Sequence, residues 1–529
     1  MVISRFRHTQ SSASRPDKHF LNVNPTGAIW DCSNMIACND RFVAVPWAQL
    51  GSTVVLRHTD YGKIPPNPPI LSGQEGPIID LAFNPFDSSK LFTASEDGTI
   101  MGWNIPEEGF TQNCTDNIVH LQGHTKKVGI MSFHPSASNV LASAGADMVI
   151  NIWDVNCNKA GEVVKCHNEQ IMSLDWNLNG SLLCTTSKDR KVNIVDPRKG
   201  SIVSSGDAHQ GGKTQRCVWA RRLNLIMTVG FSKTQARQAM VWDARKMSSP
   251  VQTEDIDQSS SIMLPFFDED TSILYIGSRG EGSIRFYECM DGHLVNCAAY
   301  TSSEVHKGLC MFPKWSLDTR QCEIGRFYAL TPKTLYTIQM LLPRRQADVE
   351  LQTDVYPPTF ADTPAMTAED YFNGENKDPL VKGMQSVFDS NSRDSKTTSF
   401  MSPAKEKHVD ATPAKHKSVN ATPAKSLSVT PTPGKLKKPD MTPTPTPNKY
   451  ADPLKMDHSS SSTTSASPLQ GNKKEKGSAE SKSQLSALLL DLERQQEEVR
   501  RCRERLQEKE RLVMETISKI SSIASSMSS

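Results

Sequence analysis

The chain has 529 residues, more than one core normally holds, so we expect at least two structural units. Its 60 Lys and Arg nearly balance its 58 Asp and Glu, and the net charge of +2 argues against a general nucleic-acid or membrane-surface binder. The start of the chain is polar and no run of about 18 apolar residues occurs, so we expect a soluble intracellular protein without a membrane span.

A repeated pattern dominates residues 1–345. Each repeat alternates apolar and polar residues, is broken by turn residues, and places a His or Gln 28 to 33 residues ahead of a Trp or Val. The four clearest repeats pair Gln74 with Trp103, His124 with Trp153, His167 with Val195, and His209 with Trp242. This spacing is typical of WD-repeat blades, each of which is a four-stranded antiparallel sheet.

Less regular stretches near 27–60, 256–288 and 303–340 raise the count to seven blades. The sequence therefore predicts an all-β, seven-bladed WD40-type β-propeller over residues 1–345. A strand from each end of this region should share one blade, because closing the ring removes exposed sheet edges.

One repeat shows why its polar residues occur as a set. Asp147 falls in a tight turn, where its carboxylate can accept hydrogen bonds from the backbone and from His124. Ser143 can link His124 to the indole N–H of Trp153. Because buried polar groups need partners, we assign all four a structural role and no catalytic one.

Residues 385–480 are rich in Ser, Thr, Pro and Lys, and this composition predicts a disordered linker. Candidate phosphorylation sites, each followed by Pro and spaced ten residues apart, are Ser402, Thr412, Thr422 and Thr432. Each phosphate would add about −1.5 to −2 charges to a Lys-rich segment. An unmodified spacer is the alternative interpretation.

Residues 481–529 show a seven-residue apolar repeat, which predicts an α-helical coiled coil. Its predicted core residues are Leu485, Leu488, Leu492, Val499, Leu506, Val513 and Ile520. No partner segment occurs elsewhere in the chain, so the helix should pair between chains in a homo-oligomer. Lys509 occupies an expected apolar position, and both a trimer and a tetramer therefore remain open.

Three short motifs resemble those of the coronin family. The segment "SRFRHT" (4–9) resembles the coronin N-terminal signature, and "CEIGRFY" (322–328) resembles the end of its propeller. The segment "DVYPPT" (354–359), followed by "AEDYFNGENKDP" (368–379), is similar to the coronin extension. The resemblance implies that residues 346–384 form an extension that packs on the propeller.

The resemblance also implies a function. A short coronin would be a non-enzymatic protein of the cytoplasm and actin cytoskeleton that binds actin filaments through its propeller. Its coiled coil would cross-link filaments or regulate branched actin, with the branched-actin nucleation complex as a further partner. Many coronins carry an arginine implicated in actin contact in the first blade, and Asn24 stands at that position here.

Basic residues outline a candidate actin surface. Residues 151–250 hold 15 Lys and Arg against 8 Asp and Glu, whereas residues 251–300 hold 2 against 9. Actin filaments are acidic, so a basic sector would speed and orient docking. The candidate contacts, including two arginines of the N-terminal signature, are Arg5, Arg7, Lys188, Arg190, Lys191 and Arg216.

No motif predicts catalysis. The 12 Cys show neither a C-x-x-C motif nor the Cys/His spacing of a zinc site, and no phosphate-binding glycine motif occurs. We therefore expect no enzymatic activity, no cofactor and no nucleic-acid partner. The alternative function is a WD-repeat scaffold that binds peptides, or that binds microtubules through its basic Pro-rich tail.

Overall fold

Seven β-sheets surround a central channel in the computed structural model, which describes residues 3–28, 31–394 and Arg500. Each sheet is one blade of a propeller. The first strands of neighbouring blades lie side by side around the channel, and later strands of each blade lie progressively further out. The predicted seven-bladed WD-repeat propeller is confirmed.

The strands follow the chain order from blade to blade. Two N-terminal strands, β1 (Gln10–Ala13) and β2 (Phe20–Leu21), precede blade 1. Blade 1 comprises β3 (Ala37–Cys38), β4 (Phe42–Pro46), β5 (Ser52–Arg57) and β7 (Leu71–Ser72). The short strand β6 (Gly62–Lys63) lies between β5 and β7 in the chain but is not part of blade 1. Blade 2 comprises β8 (Ile78–Asn84), β9 (Asp87–Ser95), β10 (Thr99–Asn104) and β11 (Val119–Gln122). Blade 3 comprises β12 (Val128–Phe133), β13 (Val140–Gly145), β14 (Ile150–Asp154) and β15 (Lys159–Val164).

The remaining blades have the same layout. Blade 4 comprises β16 (Ile171–Trp176), β17 (Leu183–Ser187), β18 (Lys191–Asp196) and β19 (Ser201–Asp207). Blade 5 comprises β20 (Arg216–Ala220), β21 (Leu225–Phe231), β22 (Arg237–Asp243) and β23 (Gln252–Asp257). Blade 6 comprises β24 (Ile262–Asp268), β25 (Ile273–Arg279), β26 (Gly282–Met290) and β27 (His293–Ser302). Blade 7 comprises β28 (Gly308–Met311), β29 (Glu323–Leu330) and β30 (Thr334–Leu341), with 3-10 turns at Lys314–Ser316 and Thr319–Gln321 before β29.

Blade 7 closes the ring with strands from both ends of the propeller. Strand β1 runs antiparallel to β30, with Gln10 opposite Leu341 and Ala13 opposite Ile338. Strand β2, after a 3-10 turn at Pro16–Lys18, pairs with the other end of β30. The predicted closure is confirmed, and it leaves the last strands of the propeller paired rather than exposed.

Burial falls from the inside of a blade to its rim. Every residue of β13 is buried, because neighbouring blades cover both of its faces. Strand β19 at the rim of blade 4 is mostly exposed. Apolar runs therefore become inner strands, and polar runs become outer strands.

Residues after blade 7 continue across one face of the ring. They form the two-stranded pair β31 (Thr359–Phe360) and β32 (Val381–Lys382), and the helices α1 (Ala368–Phe372) and α2 (Gln385–Asp394). Thr367 caps α1, because its hydroxyl accepts from the Asp370 N–H and the Asp370 carboxylate accepts from the Thr367 N–H.

Helix α2 occupies the start of the range that we assigned to the linker, and this corrects the boundary at residue 385. Phe388 is buried in α2, and the guanidinium carbon of Arg320 lies 4.2 Å from its ring centroid. Asn391 of the same helix donates to the Leu317 oxygen at 3.1 Å, so an aromatic contact and a hydrogen bond together hold α2 against the propeller. The phosphorylation candidates and the predicted coiled-coil core lie outside the described residues.

Candidate interaction surfaces

In blades 2 to 5 a buried hydrogen-bonded chain links the connection before the blade to the blade's own strands, and blade 3 shows it in full. His124 Nδ1 lies 3.1 Å from the Asp147 carboxylate, and His124 Nε2 lies 2.8 Å from Ser143 Oγ. The indole N–H of Trp153 donates to the same Ser143 oxygen at 2.7 Å. The four side chains therefore satisfy one another, which matches a structural role.

Threonine takes the place of Ser143 in three other blades. Thr185 Oγ1 lies 2.8 Å from His167 Nε2, and Thr228 Oγ1 lies 3.0 Å from both His209 Nε2 and Trp242 Nε1. In blade 2, Thr93 accepts from the indole of Trp103 at 3.0 Å. The hydroxyl is the feature that these four blades share: in blades 3 and 5 it accepts from the indole and bonds to the histidine, in blade 4 it bonds to the histidine alone, and in blade 2 it accepts from the indole and donates to Gln74.

The propeller has two distinct faces. The face that we call the extension face carries the turns between the first and second strands and between the third and fourth strands of each blade. Residues 346–394 contact this face, for example where the Ala365 N–H donates to the Ser136 oxygen at 2.8 Å. The other face, which we call the far face, carries the turns between second and third strands and the connections between blades.

Three of the predicted actin contacts lie together on the far face. Lys188 and Arg190 are exposed in the turn between β17 and β18, and Lys191 is exposed at the first position of β18. Arg190 has a φ of 67°, so it makes the tight turn in the left-handed region. Lys191 Nζ lies 2.9 Å from Asp207, and this hydrogen bond raises the pKa of Lys191. The turn offers a compact group of cations on blade 4.

The N-terminal arginines lie elsewhere. Arg5 binds blade 6, because its Nε lies 3.3 Å from the Glu288 carboxylate, and it donates to the Asp354 oxygen at 3.2 Å. Arg7 donates to the Ser4 oxygen at 3.1 Å. The Arg5 contacts hold the N-terminal segment against the propeller and the residues after blade 7, whereas the Arg7 contact lies within that segment. The structure does not bring Arg5 and Arg7 into one patch with the turn on blade 4.

Arg216 is not a surface residue, and its assignment as an actin contact is corrected. It is the first residue of β20, it lines the central channel, and it is only 9% exposed. Burial lowers the pKa of its guanidinium. Two further arginines of the basic sector are also engaged, since Arg221 pairs with Asp175 at 3.0 Å and Arg222 pairs with Asp270 at 3.3 Å.

Arginines that sequence reasoning missed hold residues 346–394 in place. Arg198 donates to the backbone oxygens of Tyr371 at 3.3 Å and Glu375 at 3.0 Å. Arg222 donates to the Pro358 oxygen at 2.7 Å and lies 4.7 Å from the ring centroid of Phe360. Two features of the sequence could have predicted these contacts. One is an arginine in a turn between the first and second or the third and fourth strands of a blade, and the other is an aromatic residue later in the chain.

In residues 3–28, 31–394 and Arg500, no helix is long and apolar enough to cross a membrane. Within the same residues, no group of three or more His, Cys, Asp or Glu side chains is placed to hold a metal ion.

Comparison with family models supports the repeat assignment. A model described as "WD domain, G-beta repeat" matches residues 68–104, and one described as "Type of WD40 repeat" matches residues 335–379. A further model, "Domain of unknown function (DUF1899)", matches residues 1–63. The fold and these matches define a WD-repeat propeller protein.

Similar proteins and a solved structure show which family of WD-repeat propeller proteins this is. The chain is 35% identical over 393 residues to Coronin-2A of Homo sapiens, covering 72% of this chain and 74% of the relative. It is 37% identical over 389 residues to Coronin-A of Dictyostelium discoideum, covering 73% and 86%. The crystal structure of the WD40 domain from Toxoplasma gondii coronin matches with a TM-score of 0.68 and 34% identity, covering 72% of this chain and 98% of that one. The chain belongs to the coronin family.

Proposed function

We propose that this coronin is a non-enzymatic protein that binds actin filaments through the far face of its propeller, with the turn at 188–191 as a contact. The observation that carries the proposal is an exposed cluster of cations on the face opposite residues 346–394. An acidic filament surface would be attracted to this cluster, and the attraction would orient the propeller on approach.

The test is co-sedimentation of the full-length protein with actin filaments and, separately, with microtubules. Saturable pelleting with filaments, weakened by added salt, is the expected result, because surface charges are screened over about 8–10 Å at physiological ionic strength. Pelleting with microtubules alone would contradict the proposal and support a scaffold that binds them through the Pro-rich tail.

We further propose that residues 481–529 gather several propellers into a homo-oligomer that cross-links filaments. The regular apolar repeat supports this, since such a helix needs a partner helix. Several weak propeller contacts on one particle would raise avidity by about 10²–10⁴ over one contact. We also propose the branched-actin nucleation complex as a second partner. Through it, the oligomer would regulate branched actin in the actin cytoskeleton.

The Pro-directed sites would regulate this assembly. Phosphates at Ser402, Thr412, Thr422 and Thr432 would reverse the charge of a Lys-rich segment. Glu at all four positions should change filament bundling and leave propeller unfolding unchanged, with Ala at the same positions as the control. Equal bundling by both variants, and no phosphate at these sites in cells, would refute this regulation.

A further inference from the structure

Residues 31–36 close one end of the central channel. Asp31 accepts from Thr214 Oγ1 of the connection before blade 5 at 3.0 Å, and Cys32 Sγ lies 3.8 Å from Met172 Sδ of blade 4. The Ser33 oxygen accepts from the Arg279 guanidinium of blade 6. The segment thus spans the channel from several sides, and a cavity of about 390 Å³ lies against it, lined by the inner strands of the blades.

Arg216 lines this cavity without a hydrogen-bond partner for two of its nitrogens. Its Nε and Nη1 are buried and unpartnered among the described residues, while the residue is nine-tenths buried. The Asp80 carboxylate attracts Arg216 electrostatically but accepts its hydrogen bonds from other groups, from Ser33 Oγ at 3.2 Å and from the Met131 N–H at 2.8 Å. Burial of a guanidinium whose N–H groups have no acceptor costs free energy unless an anion or a water accepts hydrogen bonds from them.

A second residue that lines the cavity, Asn34, also has an unpartnered polar atom. Asn34 Oδ1 is buried, has no partner among the residues described, and can only accept. Arg216 can only donate. A ligand that suits both atoms therefore needs oxygen acceptors together with a hydroxyl donor.

We propose that the central channel binds one phosphate group at Arg216, with the phosphate hydroxyl donating to Asn34. A protonated phosphate carries both kinds of group, and the planar guanidinium fork suits its oxygens. The cavity has room for inorganic phosphate or for a small phosphate monoester. This site is independent of the proposed actin contact, which lies on the surface of blade 4.

The charges at this end of the channel set the conditions of the test. Two arginines, Arg216 and Arg279, lie near three carboxylates, Asp31, Asp80 and Asp175, the last of which is paired with Arg221. Burial raises the pKa of the Cys32 thiol to about 12 and so keeps it neutral. Burial also raises the pKa of Asp80 to about 6, so Asp80 opposes an anion less in mildly acidic solution. Binding is therefore best measured near that value.

The experiment is equilibrium dialysis of the full-length protein with radioactive inorganic phosphate at pH 6, in chloride of fixed ionic strength. We expect saturable binding of one phosphate per chain. Arg216→Gln should weaken it by about tenfold or more, because a charge-assisted hydrogen bond is lost. Lys213→Gln, an exposed change three residues away, should leave it unaltered.

Competition then separates the two sources of the phosphate group. Displacement of the label by glycerol 3-phosphate would assign the site to monoesters, and failure to displace it would assign the site to inorganic phosphate. Absence of saturable binding to the parent protein would overturn the proposal whether or not the variant folds. Equal binding by Arg216→Gln, with thermal unfolding confirming its fold, would also overturn it.

Discussion

The hydroxyl of Ser143 accepts a hydrogen bond from the indole of Trp153 at 2.7 Å, and threonine fills the corresponding place in blades 2, 4 and 5. Ser143→Ala would leave the Trp153 N–H and His124 Nε2 without their partner in a fully buried site. We expect a loss of about 1–3 kcal/mol in the free energy of unfolding. Denaturant unfolding measures this change.

Ser143→Thr is the matched control. It keeps the hydroxyl and copies the residue that the other blades use, so its unfolding should stay close to that of the parent. If alanine and threonine gave the same stability, the hydroxyl would not be the feature that the blades share.

Tyr371 holds α1 against the extension face. Its ring is fully buried, 4.7 Å from His134 and 6.1 Å from Trp176 between ring centroids, and its hydroxyl has no partner among the described residues. Tyr371→Ala should cost roughly 3–5 kcal/mol, as large aromatic truncations in cores do. The rate of backbone amide hydrogen exchange in residues 361–376 should also rise in this variant.

The paired variant Tyr371→Phe removes only the unpartnered hydroxyl. Because a buried hydroxyl without a partner is unfavourable, this change should leave stability unaltered or raise it. A loss as large as that of Tyr371→Ala would show that the hydroxyl has a partner that the geometry does not reveal.

His134 makes stability depend on pH. It is fully buried, its Nδ1 accepts from the Ala137 N–H at 2.8 Å, and burial lowers its pKa to about 3 from 6.5. The unfolded chain therefore binds a proton between pH 6.5 and 3 that the folded chain does not. Stability is fully present above pH 6.5 and falls below it by about 1.4 kcal/mol per pH unit from this residue alone.

His134→Asn should flatten that dependence. Asn84 and Asn177 stand at the same place in blades 2 and 4 and accept comparable backbone hydrogen bonds, so asparagine fits the turn. Urea unfolding of parent and variant from pH 8 to pH 5 measures the slopes. Parallel curves would mean that His134 does not stay neutral in the folded state.

Sequence patterns predicted the propeller well and the placement of charge poorly. The repeated spacing of polar residues identified blades 2 to 5, because each hydrogen-bonded chain needs its members at fixed strand positions, and the less regular strand patterns raised the count to seven. Lys188 and Arg216 belong to the same basic sector, yet one is exposed in a turn and the other is buried in the channel. Which way a strand-end residue points depends on the geometry of the closed ring, and residue type does not encode it.

Assembly through residues 481–529 can be tested by Leu492→Gln with Leu506→Gln. Each buried core leucine should contribute roughly 2–5 kcal/mol, so the double variant should sediment as a folded monomer. It should keep single-site filament binding and lose bundling, because bundling needs two sites on one particle.

The control places the same substitution away from the predicted core. Glu497→Gln with Glu504→Gln changes residues that the heptad repeat sets on the outer side of the helix, so the oligomer and bundling should persist. A double leucine variant that still forms bundles would contradict the proposed assembly.

Filament binding by the far face of blade 4 can be tested by co-sedimentation of two full-length charge-reversal variants with actin filaments. One carries Lys188→Glu, Arg190→Asp and Lys191→Glu, with Asp chosen because it tolerates the left-handed turn. The other carries Lys159→Glu, Lys199→Glu and Lys246→Glu, which are exposed in or beside turns of the extension face on blades 3 to 5. We expect filament binding to weaken about tenfold or more in the first variant and to stay near the parental affinity in the second. Equal pelleting of the two variants would contradict binding through the far face of blade 4.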